Sequence, residues 1–197
     1  MPKVTDAHRA ARRDQILGAA ARCVAREGFH KTTMAAVIAE AGLSAGAVYG
    51  YFKSKNEIIK AIADRALGQA AHHLHDLVER DEPVHPADAV EVFLRQVTAP
   101  VVEGGVDLPR IAVQAWAEAV RDPEVHALAR EKMLALRDAL ESVVLRCRRD
   151  GTLPDDLDPE QAAQVLFGLL PGFVLQRLIL GDVTPESYVQ GVRALLR

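Results

Sequence analysis

The chain has 197 residues, 49% of them apolar, and a formal net charge of −3, values that are typical of a globular protein and not of a disordered one. Its two cysteines, Cys23 and Cys147, are far apart and form no CxxC pair. This pattern argues against a disulfide framework or a zinc site and indicates a reducing, cytoplasmic setting. The first residues lack the apolar run of a signal peptide, and no uninterrupted apolar stretch reaches the roughly 18 residues of a membrane span. We therefore expect no membrane partner.

The charge is divided unevenly along the chain. The first 60 residues carry ten Lys and Arg against five Asp and Glu, and the remaining residues carry fourteen against twenty-two. A basic first third on an acidic body suits a protein that places one end on phosphates. Such an imbalance is also common in soluble domains, so charge alone does not assign a function.

Apolar residues recur at helical spacing along the whole chain and strand signals are nearly absent, which predicts an all-α fold of about nine helices. The first helix is expected over Asp6–Glu27, and Gly28 is placed to end it. After the segment that ends near Phe52, helices are expected from Lys55 to a breaker at Asp81–Pro83, over 86–102 and 108–120, from 123 to about 149, from 159 to about 180, and over 185–196.

Residues 33–52 have the pattern of two short helices joined by a tight turn. Thr33 is a good N-cap for a helix over Met34–Ala41, and Gly42 can adopt the left-handed conformation that ends it. Ser44 can cap a second helix from Ala45 to about Phe52. Two helices joined by a turn of three or four residues with a glycine form a helix-turn-helix. Capping residues and a glycine turn also occur in other helical hairpins, so the pattern needs further support.

That support comes from the faces of the second helix. Its inward face is formed by Leu43, Val48 and Phe52, and its outward face, toward a major groove, by Ser44, Ala45, Gly46, Tyr49 and Gly50. Tyr51 and Lys55 flank the outward face, within reach of phosphate oxygens. Tyrosines and a lysine at these offsets favour DNA binding over an ordinary hairpin.

Several stretches of the first 60 residues form one specific combination, namely Ile16–Ala20, Glu27–Phe29, Thr32–Met34, Ala41–Ser44, Gly46, Tyr49, Tyr51–Phe52 and Ser54–Lys55. In these stretches the chain resembles the DNA-binding domain of the tetracycline-repressor (TetR) family. The resemblance implies a recognition helix over residues 45–51, a DNA-binding domain over 1–54, and a ligand-binding and dimerisation domain over 55–197. It also implies that Thr33, Tyr51 and Lys55 hold phosphates of double-stranded DNA and that Ser44, Ala45, Gly46 and Tyr49 lie near base edges.

The recognition helix has an unusual composition for a segment that reads bases. Ala45, Gly46, Ala47 and Gly50 leave few side chains able to make bidentate base contacts. We therefore expect specificity to depend on thymine methyl groups against Ala45, on Tyr49 and on DNA shape. Basic residues near the N-terminus are candidates for an additional minor-groove or phosphate contact, namely Lys3, Arg9, Arg12 and Arg13.

Beyond residue 60 the resemblance is one of helix number, length and order. In the family this region binds a small ligand and forms the homodimer, the last two helices packing with their symmetry mates as a four-helix bundle. Residues 162–180 are apolar over much of the helix circumference, as a dimer contact or the buried centre of a monomer requires. Pro171 is expected to kink or interrupt this helix. The expected dimer residues are Leu166, Leu170, Phe173, Val174, Leu178, Tyr188, Val192 and Leu195, with Gly168 and Gly172 allowing close approach.

A ligand pocket is expected among the middle helices, near Phe93, Trp116, Met133 and Phe167, where Arg110, Gln114 or Glu118 can orient a polar group. The alternative is that these are ordinary core residues. An apolar lining indicates an apolar or aromatic ligand, and a ligand that favours a dimer with wrongly spaced recognition helices releases the DNA.

The histidine tract late in the fourth helix is the one candidate metal site. His72 shares a helix face with His75 and Asp76, but such a tract is more often a solvated face. We therefore expect no metal and no cofactor. The motifs of nucleophilic, metal-dependent or phosphate-binding enzymes are also absent from the sequence, so we expect no catalysis.

Three functions remain open from the sequence. The first is a ligand-responsive, homodimeric transcriptional repressor with a palindromic operator. The second is a helical small-molecule or metal sensor, or an architectural DNA binder, without operator-specific repression. The third is a small all-α enzyme, for which no suitable constellation of residues is found. The sequence does not identify the operator, the effector or the regulated genes.

Overall fold

The computed structural model describes residues 6–99 and 107–196, and within them the chain forms nine α-helices and no strand. The predicted all-α fold is confirmed. The helices are α1 Asp6–Glu27, α2 Met34–Ala41, α3 Ala45–Tyr51, α4 Lys55–Val78, α5 Pro86–Thr98, α6 Leu108–Ala119, α7 Pro123–Arg149, α8 Pro159–Ile179 and α9 Pro185–Leu195. The expected end of the fifth helix at Val102, and Lys3 in the basic N-terminal segment, lie outside the described residues.

Proline and a capping side chain define where most of the later helices begin. Proline stands in the first turn of α5, α6, α8 and α9, where its missing N–H costs no hydrogen bond. Asp158 accepts from Gln161 N at the start of α8, and Thr184 forms a reciprocal capping box with Ser187 at the start of α9. The expected starts of these helices are confirmed because proline and the caps are local signals.

The described residues form two compact units. The N-terminal unit comprises residues 6–64 and 107–128, and the C-terminal unit comprises residues 65–99 and 129–196. The chain passes from one unit to the other inside α4 and inside α7. The DNA-binding region predicted from the sequence ends at residue 54, within the N-terminal unit, and that unit also contains α6.

Each unit has its own apolar interior. In the N-terminal unit the buried face of α1 packs with the inward residues of α2, α3 and the start of α4, including Ile16, Leu17, Val24, Phe29, Val37, Val48, Phe52 and Ile58. In the C-terminal unit the interior includes Leu74, Leu77, Val90, Leu94, Leu140, Val143, Val144, Leu170 and Phe173. Burial of such side chains is the main favourable contribution to the stability of each unit.

A single arginine fastens the connection between α4 and α5 to α7 in the C-terminal unit. Arg146 donates to the carbonyl oxygens of Val78, Arg80 and Glu82, and its Nε lies 2.9 Å from both carboxylate oxygens of Asp150. Asp150 in turn accepts from Val84 N at 2.8 Å. This accepted backbone hydrogen bond and the Arg146 guanidinium hold the pKa of Asp150 below its ordinary value. The charged pair therefore satisfies backbone groups that the connection cannot pair by itself.

Helix α8 is apolar but only partly buried. By length and a mean hydropathy of 1.5 it is the one described helix that could cross a membrane, a weak indication that core helices of soluble proteins also give. The helix also continues through Pro171, so of the two expected effects, a kink or an interruption, the interruption does not occur. Buried side chains on both sides of the proline, Leu170 and Phe173, hold the segment in the core of the C-terminal unit.

Candidate nucleic-acid interface

The turn between α2 and α3 has the caps that the sequence predicts. Thr33 Oγ1 accepts from Ala36 N at 3.2 Å, and Ser44 Oγ accepts from Ala47 N at 3.2 Å. Gly42 takes the left-handed conformation, with φ +64°, and its N–H bonds Ala39 O at 3.2 Å. A residue with a Cβ is strained at this φ, so glycine is strongly favoured at the turn. The predicted bounds of α2 are confirmed, and α3 ends at Tyr51, one residue before the expected end.

The two faces of α3 differ completely in burial. Val48 and Phe52 lie in the interior, as predicted, and Leu43 is half-buried. The outward face is formed by Ser44, Ala45, Gly46, Ala47, Tyr49 and Gly50, all exposed. A Cβ built at Gly46 or Gly50 meets no described residue outside its own helical turn within 4 Å, so the space in front of these residues is open. An exposed helix with a shallow outward surface can approach the floor of a major groove closely.

Polar side chains of α1 hold α2 in place. Arg22 and Arg26 lie 2.8 and 3.1 Å from the two carboxylate oxygens of Glu40. These hydrogen bonds, that from Arg22 being the stronger influence, keep the pKa of Glu40 below its ordinary value. Gln15 Nε2 donates to Ala41 O at 2.8 Å and so satisfies a carbonyl at the end of α2. The helix-turn-helix is therefore fixed to α1 by charge-assisted and side-chain-to-backbone hydrogen bonds as well as by apolar packing.

The three predicted phosphate-binding residues differ in their exposure and in the contacts that they already make. Thr33 is exposed and Tyr51 is half-buried. Lys55 is also half-buried, and its Nζ donates to Phe29 O at 3.0 Å and lies 4.7 Å from the centre of the Phe29 ring. An ammonium group has three donors, so this lysine retains hydrogen-bonding capacity while it holds the loop before α2.

Two further basic residues of this surface were not among the predicted contacts of the recognition helix. Lys53 is exposed, and its Nζ donates to Tyr49 O at 2.7 Å near the end of α3. Arg13 of α1 is exposed, and its guanidinium carbon lies 5.4 Å from the centre of the Phe52 ring. The sequence placed Arg13 in an N-terminal basic group, whereas the fold brings it against the end of α3. Only the folded structure reveals this proximity.

The six predicted ligand-binding residues are divided between the two units. In the N-terminal unit Arg110 pairs with Asp107 at 3.2 Å, Gln114 accepts from Phe29 N at 2.8 Å, and Trp116 is half-buried. In the C-terminal unit Phe93 is buried, and Met133 and Phe167 are half-buried. A groove of about 590 Å³ in the C-terminal unit is lined by other residues, namely His85, Thr152, Gln190, Arg193, Ala194 and Leu196.

The predicted dimer residues are also divided, here between interior and surface. Leu178 and Tyr188 are half-buried, and Leu195 is 86% exposed. The other five are at most 5% exposed, namely Leu166, Leu170, Phe173, Val174 and Val192. Tyr188 Oη donates to Leu169 O at 2.9 Å, which joins α9 to α8. The exposed apolar surface of these helices is formed mainly by residues outside the predicted set, namely Val165, Leu175, Ile179 and Leu180.

The remaining candidate groups have ordinary structural surroundings. His72 Nε2 lies 3.8 Å from Asp76 Oδ2, and His75 is exposed. No group of three or more His, Cys, Asp or Glu in the described part of the chain is arranged to hold a metal ion. Cys23 and Cys147 are free and buried, and burial raises the pKa of Cys147 to about 11. A thiol with so high a pKa is not a nucleophile at neutral pH.

Comparisons with known proteins agree with this geometry. The family model for bacterial regulatory proteins of the tetR family matches residues 16–62, and the model for the C-terminal region of BetI-type transcriptional repressors matches residues 86–197. The HTH-type transcriptional repressor Rv1474c of Mycobacterium tuberculosis is 33% identical over 183 residues, which are 84% of this chain and 95% of that protein. The HTH-type transcriptional regulator TtgR of Pseudomonas putida is 28% identical over 182 residues, covering 86% and 81%.

Solved structures show the same fold. GusR of Salmonella enterica superposes with a TM-score of 0.78 and 25% identity over 98% of this chain and 96% of that one. FadR of Bacillus subtilis, solved in complex with stearoyl-CoA, superposes with a TM-score of 0.74 and 19% identity over 92% and 96%. The proteins of this family are DNA-binding transcriptional regulators and not enzymes. Since family models match both the helix-turn-helix and the C-terminal region, the chain belongs to the TetR family of bacterial transcriptional regulators.

Proposed function

We propose that the protein is a cytoplasmic repressor that binds a palindromic operator as a homodimer and is released from it by a small, largely apolar ligand. The observation that carries the proposal is the outward face of α3. It is exposed and fixed by two capped helix ends, yet it presents only small side chains and Tyr49. A rigid helix with this surface suits a DNA groove better than a protein or metabolite site.

We assign the contacts with the DNA backbone to residues around the outward face of α3. Thr33 and Tyr51 present hydroxyl groups at its edges, and Lys55 retains free donors beside the loop before α2. Arg9, Arg12 and Arg13 near the start of α1 add positive charge on the same unit. Hydroxyl, ammonium and guanidinium groups are the usual partners of phosphate oxygens, and they fix register without reading sequence.

Sequence readout is assigned to four residues, Ser44, Ala45, Gly46 and Tyr49. Ser44 Oγ already accepts from Ala47 N, so its hydroxyl hydrogen is the group left for a base acceptor. Tyr49 is 41% exposed and is the largest side chain on the outward face. The methyl group of Ala45 can contact thymine methyl groups. Gly46 has no side chain, which allows close approach to a groove of matching shape.

The homodimer contact is assigned to the exposed apolar surface of α8 and the end of α9. Val165, Ile179 and Leu180 are 67, 76 and 63% exposed, and Leu195 is 86% exposed. Large aliphatic side chains concentrated on one helix are typical of a surface that is covered by a partner. A second copy is the partner that the family implies, and a two-fold dimer presents two recognition helices to a palindrome.

The effector is proposed only by class. Apolar and aromatic residues dominate the predicted ligand set, with Arg110 and Gln114 as its polar members. The related fold in FadR holds stearoyl-CoA, a ligand with a long apolar chain. Because Trp116 is the only tryptophan, its fluorescence should change when an apolar ligand binds, and the same ligand concentration should release the DNA. Polar sugars and amino acids should do neither.

The DNA upstream of the protein's own gene provides the decisive test. We expect the purified protein to shift a duplex from this region at nanomolar concentration and to protect a palindromic segment from cleavage. A matched duplex with one half-site scrambled should bind far more weakly, because only one recognition helix then finds its sequence. Equal binding of both duplexes would contradict operator-specific repression and favour an architectural DNA binder.

A further inference from the structure

The loop that leads into the helix-turn-helix is held by side chains from two other helices. Phe29 N–H donates to Gln114 Oε1 of α6 at 2.8 Å, and Phe29 O accepts from Lys55 Nζ of α4 at 3.0 Å. The Phe29 side chain is itself only 4% exposed. Both main-chain polar groups of this residue are therefore satisfied from outside the loop. Gln114 is the sole partner found for this N–H among the described residues.

The loop is closed by hydrogen bonds and leads directly into the N-cap of α2. It begins at Gly28, with φ +87°, and Thr32 closes it by donating from Oγ1 to Gly28 O at 2.8 Å and from its N–H to the same oxygen at 3.2 Å. Thr32 is buried, and the next residue is the N-cap Thr33. These two hydrogen bonds leave the loop few ways to adjust, so we expect a shift at Phe29 to change the position of Thr33 at the start of α2.

We propose that Gln114 is a positioning residue for DNA binding: from α6, its side-chain carbonyl fixes the main chain at Phe29 and thereby the start of the helix-turn-helix. The inference rests on the proposed function, since it concerns the same DNA-binding surface. It gives Gln114 a role in addition to the ligand contact predicted from the sequence, since its carbonyl oxygen accepts from Phe29 N. It joins α6 to a loop of the same unit, although this helix is distant in sequence from the helix-turn-helix.

The role depends on an acceptor and not on side-chain size. A leucine at position 114 has nearly the same volume as glutamine but leaves the N–H of Phe29 unsatisfied, which favours opening of the loop. A glutamate preserves an acceptor oxygen at the same distance along the side chain. Gln114→Leu and Gln114→Glu therefore separate loss of the hydrogen bond from general disturbance of α6.

The matched control is Gln96→Leu in the C-terminal unit. Gln96 Nε2 donates to Gln69 Oε1 at 2.7 Å and so also forms a side-chain hydrogen bond between two helices. The substitution is chemically identical to Gln114→Leu but has no route to the loop before α2.

The experiment measures two quantities on wild-type protein and the three variants: hydrogen exchange of the Phe29 amide, and affinity for the duplex from upstream of the gene. In Gln114→Leu we expect exchange to accelerate by about 10-fold or more, since a buried donor loses its acceptor. We expect affinity to fall by roughly 3- to 10-fold, because the binding-competent loop is then only partly populated. Gln114→Glu should restore both quantities to near wild type, and Gln96→Leu should change neither.

Three results would overturn the inference: unchanged exchange and affinity in Gln114→Leu, equal losses in Gln114→Leu and Gln114→Glu, or the same loss in Gln96→Leu. If the wild-type protein shows no preference for the upstream duplex, the proposed operator binding fails instead. The variants are then compared on mixed-sequence duplex at low salt, where phosphate contacts alone support binding. Unequal affinities on that duplex, in the order given above, still support the positioning role, and equal ones overturn it.

Discussion

Helices α3 and α8 both present a surface that no other described part of the chain covers, but the two surfaces are chemically opposite. The outward face of α3 consists of glycine, alanine, serine and one tyrosine, whereas the exposed face of α8 carries valine, leucine and isoleucine. Small and hydroxyl side chains suit a wet, polyanionic groove, and large aliphatic ones suit a dry protein contact. The comparison supports two kinds of partner for one chain, DNA at the proposed recognition surface of α3 and a second copy at the proposed dimer surface of α8.

The largest expected effect comes from placing a charge on the α8 face. Ile179 is 76% exposed, so Ile179→Glu leaves the folded monomer intact but buries two carboxylates in the proposed two-fold contact. We expect the dimer dissociation constant to rise by at least about 100-fold, measured by sedimentation velocity, because an unpaired buried charge is strongly unfavourable.

Val120→Glu is the matched control, since Val120 is an 86% exposed aliphatic residue of the N-terminal unit. It should leave the dimer unchanged. An unchanged dimer dissociation constant in Ile179→Glu would show that the exposed face of α8 is not the dimer contact.

The second-largest effect is expected at Thr33, where two substitutions distinguish its role as a helix cap from its proposed role in phosphate binding. Aspartate and asparagine both cap helices well, so Thr33→Asp and Thr33→Asn should retain the stability of α2. Only aspartate places a negative charge where a phosphate is proposed, and we expect it to lower operator affinity by roughly 10- to 100-fold. Thermal unfolding and gel shifts of the two variants measure the two effects. Equal affinities would remove Thr33 from the phosphate contacts.

A smaller effect is expected at the glycines of α3. Neither Gly46 nor Gly50 has positive φ or a neighbour near the position of a Cβ, so alanine fits both sites. Each Gly→Ala change should stabilise the protein by about 0.5–1 kcal/mol, because glycine is the less favourable helix residue. Operator affinity should nevertheless fall severalfold if the DNA approaches these positions closely.

Gly68→Ala in α4 provides the reference for these variants. Gly68 is exposed and also has open space around it, but it lies in the C-terminal unit. It should increase stability in urea unfolding without changing operator affinity. Affinity that is unchanged in the α3 variants as well would argue against close approach of the DNA to this face.

The smallest effect is a pH dependence from Glu40. Arg22 and then Arg26 keep the pKa of Glu40 below its ordinary value of 4.5, so the carboxylate is favoured more in the folded than in the unfolded chain. Its stabilising contribution is therefore present above about pH 4.5 and is lost as the pH falls through the lower, folded-state value. The stability difference between wild type and Glu40→Gln in urea unfolding should shrink over that range. A difference independent of pH would mean that the ion pairs contribute nothing measurable.

The sequence predicted most accurately those features that depend on neighbours in the chain. The caps Thr33 and Ser44, the left-handed Gly42 and the inward Val48 are local signals, and all have the predicted conformation or burial. Local sequence signals did not predict which side of α8 is buried. Its apolar residues surround the helix, so no periodicity distinguished the buried Leu166 from the exposed Val165.

Long-range side-chain contacts were the second feature that the sequence could not supply. Lys55 was predicted as a phosphate ligand from its place after α3, and its contact with Phe29 appears only when α1 and α4 are folded together. Gln114 was interpreted as a ligand residue because α6 lies among the middle helices. Its hydrogen bond to Phe29 spans 85 residues, a separation over which sequence patterns carry no information about pairing.

The open space in front of α3 also bears on how such a regulator diversifies. Since a Cβ at Gly46 or Gly50 has no neighbour within 4 Å among the described residues outside its own helical turn, a methyl group can be accepted there without repacking the helix-turn-helix. A gene duplicate can thus acquire a new operator through one or two substitutions on this face while its folding and its response to ligand stay as inherited. Because the outward face of α3 is open, mutations can change which operators the protein binds more easily than they can change most of its other properties.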